Sequence, residues 1–182
     1  MDGKLQKYLA SEFEMKDLGA LKYFLGIEIT RSATSIFLSQ NKYVLDLLIE
    51  TGMLGFAPAE TPIVQNLLAI YHDQVSTNKE RYQRLVGRLI YLSHTRPDIA
   101  YAISVVSQFM HPPSEDHLVT VMRILSYLKK TPGRDLIFRK LGHLDVKGYI
   151  DADWAGNITD RSCTSSYFTF IGGNLVIWRS KK

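Results

Sequence analysis

Apolar residues change their spacing along this chain, and the changes divide it into elements. From Leu5 to Phe13 they fall at Leu5, Tyr8 and Leu9 with charges between, which predicts a short amphipathic helix. It should stop near Leu18-Gly19, where glycine permits a left-handed cap. From Leu21 to Thr30 the period drops to two. Tyr23, Leu25, Ile27 and Ile29 alternate with Phe24, Gly26, Glu28 and Thr30, the pattern of a strand. Gly26 inside it predicts a bulge or a close backbone approach. After a polar link, Ile36-Phe37-Leu38 can return as a hairpin partner. Asn41 to Thr51 predicts a helix with Tyr43, Val44, Leu47 and Leu48 on one face and Gly52 at its stop.

From Gly55 to Lys79 no period holds, and Pro58 and Pro62 interrupt the chain, so this stretch reads as a linker or long loop. Three helices follow. Tyr82, Leu85, Val86, Leu89 and Ile90 mark the first, which Arg96-Pro97 ends. Ile99, Ala102, Ile103, Val106, Phe109 and Met110 mark the second. Leu118, Val121, Met122, Leu125 and Leu128 mark the third, with Ser114 as cap, Glu115 and Asp116 in its first turn and Lys129 and Lys130 in its last. Beyond Pro132-Gly133 the spacing returns to that of strands. Leu136-Ile137-Phe138 is a short apolar run. Val146 to Asp151, Ser166 to Ile171 and Leu175 to Trp178, with a turn at Gly172-Gly173-Asn174, predict a three-strand antiparallel meander. Such a sheet exposes an edge and an apolar face.

Composition narrows the class little. The 182 residues are 46% hydrophobic and 22% charged, enough to bury a core. A net charge of +4 permits a nucleic-acid partner without demanding one. The single cysteine, Cys163, excludes an intrachain disulfide and a cysteine zinc cluster, and fits a reducing compartment. The five histidines never take a metal-ligand spacing such as HExxH. No apolar run of 18 residues exists to cross a membrane, and the N-terminal stretch lacks the apolar segment of a signal peptide.

Three constellations could carry chemistry. Tyr149-Ile150-Asp151-Ala152-Asp153-Trp154 places Asp151 at a strand end, with Asp153 on the same face if the strand continues. Two-metal phosphodiester hydrolysis needs clustered carboxylates around Mg²⁺ ions about 3.5–4 Å apart. These two cannot complete such a cage, and the plainer alternative is a polar strand end with its acids in solvent. Arg81, Arg84 and Arg88 share one helix face, and Lys129, Lys130, Arg134, Arg139 and Lys140 form a second basic stretch. Cations so placed bind phosphates without reading sequence, or simply solvate a helix face. Tyr23, Phe24, Leu25 and Gly26 could bring a hairpin against a nucleic-acid strand, the alternative being ordinary core packing.

Phe13-Glu14-Met15-Lys16-Asp17-Leu18-Gly19 and Leu21 to Glu28 resemble the FxMKDLGxLxYFLGIE block of the reverse transcriptase in copia-type retrotransposon Pol polyproteins. Leu85 to Leu92 with Thr95 to Ala100 is similar to LVGxLxYLxxTRPDIA, and Arg123 to Lys129 with Thr131-Pro132-Gly133 to RxLxYLKxTPG. Gly148-Tyr149, Asp151 to Gly156 and Gly172 to Val176 resemble the opening of that family's ribonuclease H. The blocks keep the family's order over nearly the whole chain. Departures fall at Ser162, Cys163 and Ser166, where the family usually has Arg, Ser and Gly, and at Arg179, where it usually has Ser.

The resemblance implies an α+β fragment in four parts. Residues 1–55 would be the end of the reverse transcriptase palm, with its primer-grip hairpin, and the start of the thumb; 56–80 a linker; 81–142 thumb and connection helices; 143–182 a truncated ribonuclease H-like meander. It implies Mg²⁺ chemistry in the parent, with none expected to bind this fragment tightly. Asp151 would be the first ribonuclease H carboxylate and a metal ligand, with Asp153 a further candidate. Tyr23, Phe24, Leu25 and Gly26 with Arg81, Arg84 and Arg88 would meet an RNA–DNA hybrid or primer-template. The family's YVDD-type polymerase motif occurs nowhere in the sequence. The expectation is therefore a catalytically incomplete reverse transcriptase/ribonuclease H fragment, acting in the nucleus or cytoplasm, with other Pol segments as possible partners and no membrane. The alternative is a non-catalytic module that keeps the hybrid's backbone contacts.

Overall fold

The computed structural model describes residues 2–14, 19–64, 75–153 and 164–181. Met15 to Leu18, Trp154 to Gly156, Ser162 and Cys163, all named in the sequence blocks, lie outside the described residues, as does the side chain of Asp153.

A single helical core organises the chain. Helix α1 (Asp2–Glu12) precedes two short strands, β1 (Tyr23–Phe24) and β2 (Ile27–Arg31), then β3 (Ser35–Ser39) and α2 (Asn41–Glu50). Helices α3 (Lys79–Leu92), α4 (Ala100–Val106) and α5 (Glu115–Lys130) follow at the three predicted places. Strands β4 (Leu136–Arg139), β5 (Val146–Asp153), β6 (Thr164–Ile171) and β7 (Asn174–Lys181) complete the α+β fold. Val44, Leu47 and Leu48 of α2 meet Tyr82, Leu85, Val86, Leu89 and Leu92 of α3, Ala102, Ile103 and Val106 of α4, and Val121, Ile124, Leu125 and Leu128 of α5. Most of these belong to the 3.6-period stripes read from the sequence; Leu92 and Ile124 extend them, while Ile90, read into the stripe of α3, is 37% exposed. α1 takes no part: Leu5 and Tyr8 are exposed.

Two sheets flank this core, one in the order β1-β2-β3-β4 and the other β5-β6-β7, both antiparallel. The second is the predicted meander. The first corrects the reading of Leu21 to Thr30 as one strand. The chain reverses at Leu25-Gly26, whose φ angles are 50° and 84°, and Phe24 pairs with Ile27. Both central residues of such a tight turn need positive φ. Leucine is a poor residue there, so the turn carries no Asn-Gly signal. The short run at Leu136 joins β3 rather than the meander, with Ile36 opposite Phe138.

Of the stretch read as a linker, residues 56–61 run along α5, while residues 65–74 lie outside the described residues. The Ala59 amide donates to the Ser126 carbonyl at 3.2 Å, and Arg123 donates to the Thr61 carbonyl and hydroxyl at 3.1 and 3.0 Å. Lys129 donates to the Leu54 and Phe56 carbonyls and Lys130 pairs with Glu60, so these two cations of the second basic stretch are spent inside the fold.

The loop between α3 and α4 holds these parts in place. Arg96 is 2% exposed. Its guanidinium grips Asp98 at 2.9 and 2.8 Å and donates to the carbonyl and hydroxyl of Thr131 at 2.7 and 2.8 Å. Tyr127 donates to Asp98 at 2.9 Å, and Arg134 stands 3.5 Å from the same carboxylate. Beside it the Thr95 hydroxyl bonds Gln40, just before α2, and the Trp178 indole of β7 donates to the Ser93 carbonyl at 2.8 Å. Burial alone would push the Asp98 carboxyl up, but Arg96, Tyr127 and Arg134 together hold it below its ordinary 3.8.

At the other end of α5, Ser114 caps the helix as its sequence suggests, and His117 completes the box. The Ser114 amide donates to His117 Nδ1 at 3.0 Å, and the ring stacks on Phe109 with centroids 3.8 Å apart. Burial holds the imidazole below its ordinary 6.5, against the opposing pull of Asp116.

These polar contacts set how stability should respond to mutation and pH. Asp98→Asn leaves the Arg96 charge buried and should cost about 3 kcal/mol in urea unfolding. Because the folded carboxyl is depressed, its contribution should be complete above pH 3.8 and vanish as pH falls through the lower folded value. The folded His117 is likewise depressed, so stability should drop as pH falls from about 6.5 toward the folded value, below which the loss is complete. His117→Gln, which keeps an acceptor at that position, should remove this second dependence from a melting-temperature profile while leaving the first.

Candidate nucleic-acid interface

The β1–β2 turn is pinned to the helices by two tyrosines. Tyr91 of α3 donates its hydroxyl to the Leu25 carbonyl. Gly26 lies flat against Tyr43 of α2, where a Cβ would come 3.2 Å from the ring. The close approach expected of Gly26 is therefore real, though at a turn rather than within a strand. Tyr43 and Tyr91 meet edge to face with centroids 5.5 Å apart. Burial, and then Tyr43 and Tyr23 nearby, push the Tyr91 phenol up. It stays a hydroxyl donor throughout the neutral range. Tyr23, Phe24 and Leu25 themselves remain 55%, 56% and 67% exposed. They do not pack into the core, so the hairpin presents an aromatic and aliphatic rim to solvent.

The arginine face adjoins this hairpin. The Arg88 guanidinium lies 5.2 Å from the centre of the Tyr43 ring and pairs with Glu50 at the end of α2. Burial works against its charge, but the hydrogen bonds and charges of Tyr43 and Glu50 outweigh that and hold its pKa above the ordinary value. Arg84 reaches the same carboxylate at 3.9 Å and is 65% exposed. Arg81 is exposed, and among the described residues it forms no ion pair; only its backbone amide is engaged, by the Asn78 cap at 2.8 Å. The stripe is thus graded rather than uniform. Arg88 is tied into the fold, Arg84 is loosely held, and Arg81 is open to an external anion.

Turn, tyrosines and arginines form one connected surface, from Leu25 and Gly26 through Tyr91 and Tyr43 to Arg88, Glu50 and Arg84. Sequence spacing names the two ends and misses the middle, because it assigns Tyr43 to the buried stripe of α2. Glu50 does carry a signal, since an acid in the last turn opposes the helix dipole and calls for a neighbouring cation.

Asp151 belongs elsewhere. It is exposed on β5, opposite Ser166 of β6. Asp153 is opposite Thr164. Among the described residues no group of three or more His, Cys, Asp or Glu side chains is arranged to hold a metal ion. Asp151 alone does not fit the Mg²⁺ that the resemblance implies, because a hard cation needs several oxygen ligands fixed around it. No described helix is long and apolar enough to cross a membrane.

Comparison with known proteins agrees with the resemblance to reverse transcriptase and to retrotransposon Pol polyproteins. Residues 2–65 match the reverse transcriptase (RNA-dependent DNA polymerase) family. The chain is 43% identical over 96% of its length to a retrovirus-related Pol polyprotein from transposon RE1 of Arabidopsis thaliana, of which it spans 12%. It is 39% identical over 98% of its length to the corresponding polyprotein from transposon TNT 1-94 of Nicotiana tabacum, spanning 14% of it. An uncharacterized mitochondrial protein of Arabidopsis thaliana is 40% identical over 96% of this chain, which covers 72% of that protein. No solved structure matches.

The pinned turn yields a direct test. Gly26→Ala combines a Cβ at 3.2 Å from Tyr43 with a φ of 84°, and left-handed backbone costs a non-glycine residue about 1–2 kcal/mol. The expected outcome is a loss of that size in chemical unfolding, accompanied by a change in tyrosine fluorescence as Tyr43 shifts.

Proposed function

Because this chain belongs to the copia-type retrotransposon Pol family, in its reverse transcriptase region, we propose that it is the part of such an enzyme that grips nucleic acid rather than the part that forms bonds. Its substrate class is a duplex with an A-like backbone, an RNA–DNA hybrid or primer-template. The observation that carries this reading is the joining of the exposed Tyr23-Phe24-Leu25 turn to the Arg84 and Arg81 face through Tyr91 and Tyr43. Rigid tyrosine anchoring fixes the turn at one distance from the cations. A phosphate backbone lying over the arginines would then place sugars and bases against the apolar rim. Phosphate contacts of this kind fix position and carry no sequence information.

Bond-making chemistry would come from elsewhere in a longer Pol protein. The sequence holds no paired-aspartate polymerase motif. Under the same proposal the β5–β7 meander is the opening of a ribonuclease H-like domain, with Asp151 as its first carboxylate and further carboxylates supplied by other Pol segments. The resident Mg²⁺ of such a site would stabilise the charge that develops during phosphoryl transfer. This chain contributes orientation and duplex binding.

Fluorescence anisotropy of a labelled RNA–DNA hybrid, titrated with the folded chain at several salt concentrations, tests the proposal. Binding should weaken linearly on a log–log plot, and Arg81→Ala with Arg84→Ala should lower the slope by roughly one for each phosphate no longer neutralised. Arg88→Ala should instead lower the melting temperature, because Glu50 keeps only the looser Arg84 at 3.9 Å and the Tyr43 ring loses the cation packed against it. Tyr23→Ala with Phe24→Ala should reduce affinity with the salt slope intact. A folded chain that fails to bind at low salt, or binds with a slope the arginine changes leave untouched, would overturn it.

A further inference from the structure

An acid stands inside the arginine face. Glu50 ends α2, and its two carboxylate oxygens are divided between two arginines of α3. Oε2 pairs with Arg88 Nη1, while Oε1 stands 3.9 Å from Arg84 Nε. The Glu50 side chain is 41% exposed, so its charge lies at the surface beside the cations and not beneath them. The two arginines are held unequally. Arg88 also packs its guanidinium on the Tyr43 ring, and the Tyr43 hydroxyl donates to its backbone carbonyl at 3.4 Å. Arg84 has that one long ion pair among the described residues. Nothing in α2 asks for the acid. A negative charge in the last turn faces the negative end of the helix dipole. The helix end is closed instead by Thr51, whose amide and hydroxyl both donate to the Leu47 carbonyl, at 3.1 and 2.8 Å. The favourable contacts of the Glu50 carboxylate therefore come from the arginines.

We infer that Glu50 is a built-in competitor for phosphate at Arg84: it holds this cation in the free chain, and a nucleic-acid backbone takes its place there while Arg88 keeps the carboxylate. The inference rests on the function proposed above and adds how that grip is regulated. An exposed ion pair contributes little, because water and salt screen it. At 3.9 Å, and with Arg84 65% exposed, this one opens readily to a stronger anion. A phosphate offers several acceptor oxygens and suits a guanidinium fork as well as a carboxylate does. Displacement leaves Glu50 fixed on Arg88, within a Debye length of the incoming phosphate, about 10 Å at 0.1 M salt. The two anions repel each other there. Binding is then weaker than three free arginines would make it, and the bound duplex leaves sooner. Arg81, which forms no ion pair among the described residues, has no such competitor to displace.

Anisotropy of the labelled RNA–DNA hybrid, read at several salt concentrations, compares the wild-type chain with Glu50→Gln. Glutamine keeps the length of the side chain and an oxygen acceptor for Arg88, and an unchanged far-ultraviolet circular dichroism spectrum checks the fold. The variant should bind about fivefold tighter at low salt. Its log–log slope should be steeper by up to about one, because the complex no longer holds a counterion against the acid. Most of the gain should vanish in an Arg84→Ala background. Asp46→Asn removes the same charge one turn earlier on α2, where no ion pair forms among the described residues, and should change affinity by less than about twofold. Folded wild-type and variant chains that both fail to bind would overturn the proposed function. Wild-type binding that Glu50→Gln leaves unchanged or weakens, a gain that persists in full without Arg84, or an equal gain from Asp46→Asn would each overturn this inference alone.

Discussion

Arg96 carries a permanent charge into the interior, and the way that charge is satisfied locks the loop between α3 and α4 to the end of α5. Its donors need acceptors held in a fixed plane. Asp98 supplies a fork from the same loop, and Thr131 supplies a carbonyl and a hydroxyl from the end of α5. Removing one partner would leave an uncompensated buried charge, so loop and helix end are locked together. The neighbouring residues of the loop extend that lock outward. Thr95 holds Gln40 at the start of α2, which sets where β3 delivers the chain, and Ser93 holds Trp178 of β7. The apolar core cannot do this, since hydrophobic burial has no direction and no described strand residue belongs to it. The helices are held by area. The two sheets are tied to the helices by a handful of polar contacts, Thr95 to Gln40 and Trp178 to Ser93 on this loop and Tyr91 to the Leu25 carbonyl on α3.

That division explains which parts of the fold are legible in the sequence. The helical stripes in α2, α3 and α5 are readable because burial imposes a period, and the cap at Ser114 because an unsatisfied helix end demands a specific side chain. The meander is readable from its alternation and from Gly172-Gly173-Asn174. The turn at Leu25-Gly26 is not, because a leucine in a left-handed conformation gives no local sign of itself. It is held there by Tyr91 and Tyr43, which are distant in sequence. The pairing of β4 with β3 is hidden for the same reason, as a short apolar run does not announce its partner. In sequence Arg96 is only the residue that ends a helix before proline. Its burial becomes visible once Asp98 and Thr131 are seen to converge on it.

The candidate interface shows the same limit on the scale of a site. Helical spacing correctly puts Arg81, Arg84 and Arg88 on one face, yet spacing treats the three as equivalents. Contact with Glu50 and Tyr43 makes Arg88 a structural member, while Arg81 stays available. A surface that must bind a polyanion faces two demands. Its cations must be held in position, which consumes charge, and they must remain free to meet phosphate. Under the proposed function these demands would be met by different residues on successive turns of one helix, with Glu50 as the counter-charge beside Arg88 and Arg84. The aromatic turn obeys the same logic, since Tyr91 and Tyr43 take up the backbone of Leu25 and Gly26 and leave the side chains of Tyr23, Phe24 and Leu25 outside.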